Sequence, residues 1–145
     1  MRSQMMIRRS LTLVMLLGAA ALGACGDAEE EQEPEVETMR VVIGETTVNF
    51  GNGGCTPSVA SVTIPAGGAP VTASFLKADG SPETIVTDAE FELKVEPAGR
   101  FTRSSAFAGS ISGGTAGTTT FSFSLFHKEE QHEDYGPCQV PIVVQ

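Results

Sequence analysis

The chain has no tryptophan, one tyrosine and two histidines in 145 residues, and nine Lys or Arg against eighteen Asp or Glu. Each shortage removes a class of function. With Tyr135 as the lone tyrosine, there are no aromatic platforms of the kind on which a carbohydrate site stacks sugar rings. A formal net charge of −9 argues against nucleic acid and against adhesion to anionic lipid by charge alone. There is no G-x-S-x-G elbow to present a nucleophilic serine. The glycine-rich turn Gly51-Asn52-Gly53-Gly54 precedes neither a lysine nor a helical pattern, so it is no phosphate cradle. Without a constellation of nucleophile, base and orienting group, the sequence does not read as an enzyme.

What is present begins with a leader. Residues 1–10 carry Arg2, Arg8 and Arg9 without an acid, and Leu11 to Ala24 follow with no charge at all, the layout of a signal peptide over 1–24. As a helix that apolar run spans about 21 Å against about 30 Å of bilayer hydrocarbon, too short for a permanent membrane span. It ends in Leu22-Gly23-Ala24-Cys25, which resembles the lipobox of bacterial lipoproteins, with Gly23 where alanine or serine is commoner. The resemblance implies that Cys25 is the lipid-modified first residue of the mature chain and that the membrane is a partner through that lipid. More than one acyl chain would make the attachment stable. Simple secretory cleavage near Ala24 is the alternative. Gly26 rather than aspartate follows Cys25, which leans toward the outer membrane of an envelope that has one.

Residues 26–37, GDAEEEQEPEVE, hold seven acids and no base, and with Cys25 form the expected acidic, disordered tether over 25–37. Loss of the three leader arginines takes the net charge from −9 to −12, with eighteen acids against six bases. Residues 38–145 then have an ordinary length for one domain with its own core.

That domain reads as all-β. Apolar residues alternate in Phe91-Leu93-Val95, Phe121-Phe123-Leu125 and Val140-Ile142-Val144, and turn residues such as Gly44-Glu45 and Ala78-Asp79-Gly80 separate short runs. Eight or nine such strands, each with one face to bury, predict an antiparallel two-sheet sandwich. Pro141 cannot donate to a ladder, which predicts an edge position or an outward-facing one. Over about residues 59–126, the IPAGG lead-in at 64–68, a strand closing in ADGS at 78–81 and the turn GGTAGTT before a strand at 113–119 resemble a bacterial immunoglobulin-like domain of intimin-type adhesins. The resemblance implies an immunoglobulin-like sandwich and no particular activity.

Cys55 and Cys138 remain after Cys25. In an exported chain an even pair predicts a disulfide rather than two free thiols, one that places the exit of the first hairpin beside the start of the last strand. Both histidines fall in HKEEQHEDYGP, 127–137, predicted as a polar loop at one pole of the sandwich. His127, Glu129, Glu130, His132 and Asp134 form a fair ligand set for zinc or copper, because imidazole suits those ions and carboxylates can complete the shell. The spacing matches no established signature. The sequence alone therefore ranks a solvated acidic loop first and a metal site second. The resulting expectation is a lipid-anchored immunoglobulin-like module of the cell envelope with a structural or binding role, such as engaging a protein partner. The alternative is an envelope metal-binding lipoprotein.

Overall fold

The computed structural model describes residues 32–51 and 54–145; the leader, Cys25 and the first half of the tether lie outside the described residues. Strands β1 (Thr38–Ile43) and β2 (Thr46–Gly51) form the predicted hairpin, closed at Gly44, whose φ of 60° suits glycine. They are followed by β3 (Thr56–Pro57), β4 (Val62–Ile64), β5 (Ala69–Leu76), β6 (Phe91–Glu96), β7 (Phe101–Ser105), β8 (Ala108–Ile111), β9 (Gly117–His127) and β10 (His132–Val144). A three-residue 3-10 turn at Ala98–Arg100 joins β6 to β7.

The strands make two sheets. One runs β3-β2-β1-β5-β8-β7 and the other β4-β10-β9-β6. Period-two alternation gives each an apolar face: Met39, Val41, Ile43, Val48, Phe50, Val71 and Phe75 from the first belong to one buried cluster with Leu93, Val95, Phe121, Phe123, Val140 and Ile142 from the second. Burial of each such side chain is worth about 1.5–3 kcal/mol, which is what holds the layers together.

Three expectations change. Pairing is not antiparallel throughout, because β4 lies parallel to β10, with Val62 opposite Ile142. Alternation fixes which face a strand buries but not its direction, and the chain crosses from β3 in one sheet to β4 in the other. Second, β10 starts at His132, so the predicted loop at 127–137 contracts to the turn at 128–131. Third, part of the tether is packed. Val36 rests against the core, Glu37 N–H donates to Leu76 O at 2.9 Å, and Glu35 N–H donates to the buried carboxylate of Glu83 at 3.1 Å. Glu83 also accepts from Ile85 N–H at 3.1 Å and lies 3.7 Å from Lys77 Nζ, so a fixed anion waits for this backbone.

Pro141 faces outward between buried Val140 and Ile142. The edge position is excluded because β10 is internal, although β4 joins it only from Ile142 onward. Cys55 and Cys138 are disulfide-bonded with Cα atoms 4.6 Å apart. The bond ties the segment between β2 and β3 to the middle of β10 rather than its start, and so fastens one sheet to the other.

Candidate metal centre

Alternation along β9 buries Phe121, Phe123 and Leu125 and carries His127 to the end of the same face. Its side chain is 13 % exposed and stacks on Phe91 of β6, with centroids 4.6 Å apart and planes at 20°. The chain then turns, Gln131 taking a φ of 59° and donating its N–H to His127 O at 2.9 Å. His132 pairs directly opposite His127, so both imidazoles project from one face of the hairpin. Asp134, two residues along β10, joins them by the period of a strand. Register irregularities on either side of Tyr135 then bend β10 back toward the core, and such bulges recur beside functional sites. Gly136 permits the bend: its φ is 97°, and a Cβ there would stand 2.7 Å from Phe123 O.

The side chains are mutually engaged. Glu130 Oε2 lies 3.5 Å from His127 Nδ1 and 3.2 Å from His132 Nδ1, and Asp134 Oδ1 lies 2.6 Å from His132 Nε2. A neutral imidazole has one N–H, so His132 donates to both carboxylates only when it carries a second proton; as a neutral ring it donates from one nitrogen and leaves the other free to ligate a cation. The Asp134 side chain is 9 % exposed, and its Oδ2 is buried without a hydrogen-bond partner among the described residues. An unsatisfied buried acceptor costs about 1–3 kcal/mol, and more when charged. One ligand atom from each of His127, His132 and Asp134 falls within a group no wider than 4.8 Å. Two imidazoles and a carboxylate are a zinc-type donor set, for which zinc takes bond lengths of about 2.0–2.2 Å.

Of the five residues singled out in the sequence, His127, His132 and Asp134 converge, and Glu130 bridges the two rings. Glu129 sits on the exposed turn, outside the converging group. Glu133, part of the same acidic run, is drawn off by Lys94 of β6 at 2.6 Å, a bond that holds its carboxyl below the usual range. Two features were missed. Phe91, the platform under His127, is paired with it across β6 and β9. Gln32, Glu33 and Pro34 line a cavity of about 60 Å³ together with Phe91, His127, Glu130 and Asp134. Phe91 could have been found as the first apolar residue of its strand; nothing in the acidic run signalled the second. No protein-family model matches this chain, and neither does any curated protein or solved structure.

Partial burial of His132 lowers its pKa, but the hydrogen bond to Asp134 and the charges of Asp134 and Glu130 outweigh it, and the net shift is upward from 6.5. In the metal-free protein the resulting stabilisation is fully present below the unfolded pKa of about 6.5 and is lost as pH rises through the raised folded value. An NMR titration should find the His132 ring titrating above the free-histidine range, with Asp134→Asn bringing it down. A ring that titrates at or below the free value in the wild type would contradict the ion-pair geometry.

Proposed function

We propose that this protein is a lipid-anchored module of the cell envelope, an immunoglobulin-like sandwich that binds a transition-metal dication, zinc or copper(II), through His127, His132 and Asp134. The observation that carries the metal reading is the buried, unmatched Oδ2 of Asp134 beside two imidazoles on one hairpin face. The chain is read as a binding module and not an enzyme because its sequence carries no constellation of nucleophile, base and orienting group. Support for the immunoglobulin-like form comes from the two apolar-faced sheets and from the resemblance across β4 to β9.

Titration calorimetry of zinc into tag-free protein should give one site tighter than about 10 µM, near 7 kcal/mol of binding free energy. His127→Ala/His132→Ala should abolish it. Because zinc must displace the proton that His132 holds, affinity should decline on acidification from a pH above about 6.5. Calcium, which prefers an all-oxygen shell, should not compete. Equal heats from wild type and double variant would return the domain to the other reading, an envelope module that engages a protein partner through its polar turn. That reading is favoured by the exposure of Glu129, Glu130 and Gln131.

The anchor is tested separately. Cys25→Ser should release the protein from membranes or mislocalise it; co-fractionation with membranes like that of wild type would refute lipid attachment through Cys25.

A further inference from the structure

The metal site sits against the chain that leads to the proposed anchor. The 60 Å³ cavity has two walls, one made by His127, Glu130 and Asp134 on the platform of Phe91, the other by Gln32, Glu33 and Pro34. That volume accommodates a dication with about one water, whose share of liquid volume is about 30 Å³. The second wall is held in place just downstream, where Glu35 N–H donates to Glu83, Val36 packs on the core and Glu37 N–H donates to Leu76 O. The Glu83 side chain, which holds the N–H of Glu35, is only 1 % exposed, and Glu33 lies two residues before Glu35. The single O–H of Tyr135, next to Asp134, is shared between Phe50 O at 2.9 Å and Glu37 O at 3.3 Å, which places this strand beside the same segment.

Resting on the metal reading above, we propose that the carboxylate of Glu33 completes the metal shell, so that the bound ion straps residues 32–34 onto the 127–134 hairpin. Three donors from the hairpin leave one position of a tetrahedral zinc shell, and Glu33 lines the same cavity, with its carboxylate outside the converging group until an ion draws it in. Charge points the same way. Glu33, Glu130 and Asp134 all line the cavity, a formal charge of −3 that a dication brings to −1, whereas without an ion they face one another as like charges. The ion turns a repulsion into a bridge. Strap and ion are then thermodynamically coupled: if docking of Glu33 tightens zinc binding by some factor, zinc tightens docking by the same factor.

The test uses zinc chloride on the full mature chain, with calorimetry beside amide hydrogen exchange at residues 32–37. Zinc should slow exchange at Gln32, Glu33 and Glu35 by about tenfold or more, and Glu33→Gln should weaken zinc binding by about 10–100-fold and remove that protection. Glu35→Gln, which keeps the backbone donor to Glu83, should leave both unchanged. If wild type binds zinc yet exchange at 32–35 does not change, or if Glu33→Gln binds as wild type does, the strap is refuted while the hairpin site stands. If wild type binds no zinc, the hairpin site itself is refuted and the strap falls with it.

Discussion

Removing the Cys55–Cys138 bond should lower the stability of the domain by about 4–5 kcal/mol, the chain-entropy value for opening a loop of 83 residues. The figure is a large part of the about 5–15 kcal/mol that holds a typical domain together. The bond crosses between the two sheets, and Cys138 is fully buried in the internal strand β10, so the released chain loses a tie between layers. Cys55→Ala/Cys138→Ala is the clean form of the experiment, since a serine would leave a hydroxyl in the core. Urea unfolding should show a lower midpoint and a steeper dependence on denaturant, because the unfolded chain without its cross-link exposes more surface. A loss under about 1.5 kcal/mol would mean that the unfolded chain stays compact without the bond.

Phe123→Ala should cost about 3–5 kcal/mol by the same measurement, the usual range for emptying a phenylalanine site in a core. Phe123 is fully buried at the middle of β9, between Val95 of β6 and Cys138 of β10 in register. Across the layers its ring lies 6.3 Å from that of Phe50, tilted by 37°. It therefore contacts both sheets close to the disulfide, where collapse into the vacated space is most restricted. Thr118→Ala, at an exposed position of the same strand, should stay within about 0.5 kcal/mol of wild type. Comparable losses at the two positions would mean that strand propensity and not packing dominates β9.

The strands that alternate cleanly were legible in the sequence, because one buried face imposes period two on β1, β2, β5, β6, β9 and the second half of β10. β7 was not legible: it lies at a sheet edge with Thr102 to Ser105 exposed, so no burial constrains its pattern. The first half of β10 was hidden by its polarity and by Gly136-Pro137, which read as a turn and act as a bulge. At the site, the residue types were visible but their convergence depended on turn length, which decides whether His127 and His132 oppose each other. The neighbourhood of Glu33 and Asp134 was beyond reach, since it joins segments about a hundred residues apart through the packing of one sheet on the other. Glu83 was equally silent; a buried carboxylate in a polar segment is recognisable only by the backbone donors gathered around it.

The order of strands also settles how the domain meets a pull on its N-terminus. The tether feeds directly into β1, and β1 is flanked by β5 from Thr38 and by β2 from Met39 through to Ile43. A load along β1 must shear two ladders at once instead of peeling one rung after another, and Met39, Val41 and Ile43 would have to slide out of the core in the same step. Ahead of β1, the Glu35 bond to Glu83 and the Glu37 bond to Leu76 would give way first and lengthen the linker by a few residues before any sheet yields. A load applied at the N-terminal segment would thus free residues 32–37 before it met the shear resistance of β1.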